Sequence, residues 1–174
     1  MATRRDSLAL SGSALAASLS GCLSSGLLAG GPPEVREESG DPPARLSPAF
    51  PDLHADSTLV TLAVGDGASQ DEQVWLWNET DRSLEVAVEI GGEAEAEPWF
   101  QQSYDLNADA NLAIDLRESR DYAIAVGVGD RTETVEYPES WFDCNDTATD
   151  VVLRAEKFDV ASIKTDQGCN EGFW

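Results

Sequence analysis

Leu84-Glu85-Val86-Ala87-Val88-Glu89-Ile90 is the stretch that decides the fold. Leu84, Val86, Val88 and Ile90 alternate with Glu85, Ala87 and Glu89. That period of two belongs to a half-buried antiparallel strand, with one face on a core and the other toward water. Just upstream, Gln73 to Asn78 places Val74 and Leu76 on one face and Trp75 and Trp77 on the other. Glu79-Thr80-Asp81-Arg82-Ser83 lies between the two and reads as a polar hairpin connection, and Gly91-Gly92 ends the second strand.

The same reading extends in both directions. Thr58 to Val64 forms a strand before the turn Gly65-Asp66-Gly67. Trp99 to Leu106 and the Leu112, Ile114, Leu116 series follow, and then Tyr122, Ile124, Val126 and Val128 alternate with Ala123, Ala125 and Gly127. Thr132 to Tyr137 pairs back across Gly129-Asp130, a hairpin signal. Val151 to Ala155 and Phe158 to Ile163 complete the set. No window carries a helical period. Eight or nine short strands at regular spacing predict an all-β antiparallel sandwich.

The amino-terminal segment has another character. Arg4-Arg5 opens it, a Leu, Ala, Ser and Gly run follows Asp6, and Leu19-Ser20-Gly21-Cys22 closes it. A basic start, a short apolar run and a small-residue exit describe a secretory signal. The arginine pair is the address of the twin-arginine route. The exit resembles a lipobox, in which Cys22 is lipidated and becomes the first mature residue. The apolar run is short of the roughly 20 residues of a membrane span; an uncleaved anchor and a buried structural Cys22 are the competing readings. The expected organisation is therefore a signal peptide over residues 1–21, lipidated Cys22 with a flexible acidic linker over 22–52, and a domain over 53–174. The linker assignment rests on Ser24-Ser25-Gly26, Gly30-Gly31-Pro32-Pro33, Glu37-Glu38-Ser39-Gly40 and Pro42-Pro43, which offer little apolar surface to offset ordering entropy.

Charge narrows the setting. The chain carries 33 Asp and Glu against 11 Lys and Arg, a net charge of −22. Loss of residues 1–21 would remove two arginines and one aspartate, leaving −23. The acids are spread among apolar residues, and the only lysines are Lys157 and Lys164. That is a surface adapted to concentrated salt, where self-repulsion is screened over about 3 Å at 1 M. No basic patch exists to neutralise phosphates, so nucleic acid is excluded as a partner.

Asn78-Glu79-Thr80-Asp81-Arg82-Ser83-Leu84, a valine-rich strand, and Leu116-Arg117-Glu118-Ser119-Arg120-Asp121-Tyr122-Ala123-Ile124-Ala125-Val126 together resemble the immunoglobulin-like domains of secreted haloarchaeal proteins, kin to bacterial adhesion-type folds. The resemblance covers roughly residues 58–170. It implies an immunoglobulin-like sandwich of about seven to nine strands, and it places Tyr122 where a tyrosine-corner residue sits. Unlike antibody domains, the chain lacks paired cysteines on two core strands. The resemblance implies an architecture and a surface location, not a reaction.

Cys144 and Cys169 remain as an even pair once Cys22 is set aside, and a disulfide is favoured over two free thiols or a metal pair, since His54 is the only histidine. Catalytic signals are sparse. A blue-copper centre needs two histidines, a cysteine and usually an axial methionine; the single methionine here is Met1. A catalytic triad would have to use His54, at the border of the linker. Asp105-Leu106-Asn107-Ala108-Asp109-Ala110-Asn111 starts like a calcium loop, but Ala110 replaces the glycine and Leu116 the bidentate glutamate, so a polar turn is the expected reading. Asn78-Glu79-Thr80 and Asn145-Asp146-Thr147 are candidate N-glycan acceptors at Asn78 and Asn145. Trp75 and Trp77 are candidate ligand-binding residues if their face is exposed, although core packing is the default for tryptophan.

The sequence thus predicts a non-enzymatic, cofactor-free binding or structural module. It is expected at the outer face of a halophilic archaeon's membrane, held there by the lipid on Cys22, with a surface protein or glycan as partner. The alternatives are a carbohydrate- or polymer-binding module using exposed tryptophan, and an accessory subunit of a surface transporter or hydrolase.

Overall fold

A computed structural model describes residues 31–44, 46, 48–67, 72–92 and 97–166, all but Gly31 within the compact unit Pro32–Trp174. The signal segment, Cys22 and Cys169 lie outside the described residues. Ten strands are present: β1 (Val35–Glu38), β2 (Ser57–Val64), β3 (Glu72–Asn78), β4 (Leu84–Gly91), β5 (Phe100–Leu106), β6 (Ala110–Leu116), β7 (Tyr122–Val128), β8 (Arg131–Tyr137), β9 (Thr147–Leu153) and β10 (Phe158–Lys164). They form a six-stranded sheet in the order β1-β2-β6-β3-β9-β10 and a four-stranded sheet in the order β5-β4-β7-β8. The all-β sandwich expected from the alternation is the fold.

Inner positions explain why the sheets pack. Leu62, Val74, Leu76, Leu112, Ile114 and Val151 of one sheet and Val88, Ile90, Ile124 and Val126 of the other are fully buried in one cluster. Each such side chain contributes about 1.5–3 kcal/mol on leaving water. β7 and β8 pair across a two-residue turn, Val128 opposite Arg131, where Gly129 takes φ 63°, a positive value that glycine adopts without strain. β3 pairs antiparallel with β6, and β4 antiparallel with β7. The six-stranded sheet is mixed rather than wholly antiparallel as expected: β2 runs parallel to β6 and β9 parallel to β3. Tyr122 is buried, and its hydroxyl donates to the Glu118 carbonyl at 2.7 Å, which is the tyrosine corner.

Two expectations about chain path need correction. Residues 79–83 do not close a hairpin. β3 belongs to the six-stranded sheet and β4 to the four-stranded one, so the link crosses between sheets. Alternation specifies which face is buried but not which strand pairs with which. Asn78 fixes the crossing: its Nδ2 group is shared among the carbonyls of Arg82, Leu106 and Asn107 at 2.8–2.9 Å, and its Oδ1 accepts from the amide and hydroxyl of Thr80.

The flexible linker over 22–52 also ends sooner than its composition suggests. Val35–Glu38 is strand β1, paired antiparallel with β2. Arg117 clamps it, with two bonds to the Glu38 carboxylate at 2.7 and 2.8 Å and one to buried Asp115 at 2.7 Å. Arg36 bonds Asp66 and the Gly65 carbonyl. Glu37 accepts from Gln102 and Tyr104 of β5, tying the two sheets at that edge. A four-residue strand with three charged side chains looks like solvated linker by composition, yet each charge has a fixed partner.

Two predictions follow from these contacts. Asn78→Ala leaves buried carbonyls without a donor and costs about 2–4 kcal/mol, whereas Tyr122→Phe removes one hydrogen bond and costs about 1 kcal/mol; denaturant titration in molar salt reads both, and equal losses would count against the corner. The hydrogen bonds from Arg117 hold the Glu38 carboxyl below its ordinary value of 4.5. A lowered carboxylate contributes stability that is complete above that value and is lost as pH falls through the folded one. The denaturation midpoint of the wild type should exceed that of Glu38→Gln at pH 7, and the two should converge on acidification. A pH-independent gap would show that the clamp does not depend on charge.

Candidate interaction surface

The two sheets present outer faces of different kinds. On the six-stranded sheet, Trp75 and Trp77 lie stacked with ring centroids 5.8 Å apart, each only 2% exposed. Leu53, Phe50 and Ala55 pack against them with Ala113 and Val152. Ala44 and Ala49 are held over this face by polar contacts too. Gln73 donates to the Ala44 carbonyl at 3.0 Å and accepts from the Trp75 indole, while Asp150 accepts from the Ala49 amide at 2.7 Å and the Trp77 indole at 2.9 Å. The assignment of Trp75 and Trp77 as an exposed ligand platform is therefore corrected: a segment with the composition of a linker covers them as a third layer.

Among the described residues, nothing packs on the outer side of the four-stranded sheet. Ala87 of β4 sits beside Gly127 of β7, which sits beside Thr132 of β8; Glu89 sits beside Ala125. Together with Glu85 these residues line an open trough of about 390 Å³. Alanine and glycine are poor strand formers, and a glycine inside a strand often marks a place where something approaches closely. The fold does not demand glycine at position 127. A Cβ there would meet Ala87 at 3.4 Å, an ordinary contact, and its φ is not left-handed. Acids border the floor: Glu85 lies directly opposite Asp105, and Glu89 accepts from Gln101 at 2.6 Å. Like charges placed opposite each other destabilise a sheet, and concentrated salt lessens that repulsion. A smaller cleft of about 210 Å³ lies where the chain leaves β1, over Asp115 and Arg117, and its charges serve the clamp.

The other candidates are placed as follows. Asn78 is 1% exposed, and its Nδ2, the atom a glycan would modify, is committed to carbonyls. The sequon there is a structural turn, and its assignment as a glycan acceptor is corrected. Asn145 lies half-buried in the turn after the 3-10 helix Glu139–Trp141, with its amide on Asp143 at 2.7 Å. Cys144 is exposed in the same turn. His54 is exposed, its ring 3.2 Å from the Asp52 carbonyl. Residues 107–109 make a tight turn in which Asp109 takes φ 54° and its amide donates to the Asn78 carbonyl. This is the expected polar turn, although it too crosses between sheets rather than closing a hairpin. Among the described residues, no group of three or more His, Cys, Asp or Glu is gathered to hold a metal ion, and no helix is long and apolar enough to cross a membrane.

The trough went unnoticed in the sequence although its signal was present. Ala87, Ala125 and Gly127 occupy the outward positions of their strands, where polar or β-branched residues are the norm. No protein-family model matches the sequence, and no curated protein matches it.

The burial of Asn78 yields a direct expectation. Peptide mass spectrometry of the native protein should find Asn78 unmodified whatever the state of Asn145. A glycan on Asn78 would contradict the geometry of the crossing after β3.

Proposed function

We propose that the chain is a lipid-anchored binding module on the outer face of a halophilic archaeon's membrane, acting through the uncovered face of its four-stranded sheet. The observation that carries this reading is the asymmetry between the two outer faces. One is roofed by Phe50, Leu53 and Ala55, and among the described residues the other is left open over Ala87, Ala125 and Gly127. A floor of small side chains lets a partner backbone or flat surface approach closely, while Glu85, Glu89 and Asp105 favour a partner that presents cations or hydrogen-bond donors.

Anchoring is supported by the Arg4-Arg5 start, the apolar run and the exit at Cys22. The acidic, lysine-poor composition supports life in salt. Cys144 pairs with Cys169 in this reading, closing a loop of 25 residues, which in the chain-entropy account contributes about 3 kcal/mol. The turn carrying Cys144 lies beside the exit from β10, where the Thr165 amide donates to the Asp146 carbonyl and Lys164 bonds Asp143. The bond of Lys164 holds the Asp143 carboxyl below its ordinary value.

Two measurements test the reading. Intact mass of the envelope protein should give a chain beginning at a lipid-modified Cys22; a chain still beginning at Met1 would remove the anchor. A photo-crosslinking residue at position 125, on the open face, should form adducts in native envelopes, and one at position 152, under the roof, should not. Equal labelling from both positions, or none from 125, would sink the face assignment.

A further inference from the structure

Four strands form the rims of the two sheets, and β10 alone is neutral. Asp159 balances Lys164, whereas β1, β5 and β8 each carry one net negative charge. Of the two lysines of the chain, Lys157 precedes it and Lys164 ends it, and they are matched within the molecule: Lys157 with Asp159 and Lys164 with Asp143. In a chain of net charge −22, a second copy meets repulsion over most of the surface and least along this edge.

β10 is also free to pair. It runs for seven residues without proline or glycine, and among the described residues no strand lies on its outer side. Its backbone donors and acceptors are thus available to another strand. The six-stranded sheet overhangs its partner here. β8 reaches β10 at Phe158, where the Arg131 guanidinium sits 5.2 Å from the ring. Val160, two residues further along the same face, is 41% exposed. Only Leu59 joins it as an exposed large apolar side chain among the described residues.

We propose that β10 pairs antiparallel with β10 of a second copy about a two-fold axis perpendicular to the sheet. The contact is isologous, so one neutral edge serves both sides. An axis in that direction keeps the faces of the sheet on their own sides. The two uncovered four-stranded faces then point the same way, and the dimer presents a pair of docking surfaces whose combined binding exceeds that of either alone.

The test is sedimentation equilibrium of the full chain in molar salt, with hydrogen exchange of residues 158–164 followed against concentration. The wild type should be dimeric, with β10 protection rising as the dimer forms. Val160→Glu adds a like charge at the edge and should raise the dissociation constant at least about tenfold. Leu59→Glu, an equally exposed site on another strand, should leave it unchanged. A monomeric wild type overturns the proposal, as does an equal effect of the two variants. Concentration-independent protection of the β10 amides that do not bond β9 also overturns it, because another segment of the same chain would then occupy the edge.

Discussion

A sheet that is apolar on both faces must be covered on both, and this constraint organises the molecule. β3, β6 and β9 are buried along their whole length. Their inner side chains pack on the four-stranded sheet. Their outer ones, Trp75, Trp77, Ala113 and Val152, need a second cover, which Phe50, Leu53 and Ala55 provide. The four-stranded sheet carries the opposite pattern. Its outward positions are small or polar and ask for no cover, so the asymmetry that marks the candidate surface follows from where the large apolar side chains fall.

Charge does a different job. With three acids for every cation, electrostatics cannot hold such a chain together as a whole, and the described cations are concentrated at rims and corners. Arg36 and Arg117 fix β1. Arg154 and Lys157 share Asp159, whose carboxyl they hold below its ordinary value. Arg120 lies 4.3 Å from the Trp99 ring, beside the tyrosine corner. Exposed pairs of this kind contribute little each, but they define where edges end, while apolar burial between layers supplies most of the stability. Concentrated salt weakens the long-range repulsion among the remaining carboxylates more than these short contacts.

Most of the fold was legible because alternation of apolar and polar residues is a local signal. Leu84 to Ile90 and Tyr122 to Val128 read directly as half-buried strands, while a corner at Tyr122 was only what the resemblance to immunoglobulin-like domains implied. The crossing at 79–83 was not legible, because a polar pentapeptide between two strands serves a hairpin or an inter-sheet link equally well; the distinction lies in Asn78, whose partners Leu106 and Asn107 are 28 and 29 residues away. Residues 35–52 took on the character of a linker for a related reason. Their partners Gln73, Asp115, Arg117 and Asp150 are remote in sequence, so their composition alone resembled a solvated linker. The face of Trp75 and Trp77 was ambiguous for want of that cover.

The account therefore turns on whether residues 35–56 belong to the domain. Residue-resolved hydrogen exchange of the native protein in molar salt tests this most directly, through the amides of Arg36, Glu38, Ala49 and Leu53. Ala49 and Leu53 donate to Asp150 and the Phe50 carbonyl, and β1 is paired with β2. These amides should therefore exchange far more slowly than an unstructured peptide and deprotect together with the rest of the fold. Exchange at the rate of free peptide would put the domain boundary near residue 53, uncover Trp75 and Trp77, and contradict the contrast between a covered six-stranded and an open four-stranded face among the described residues.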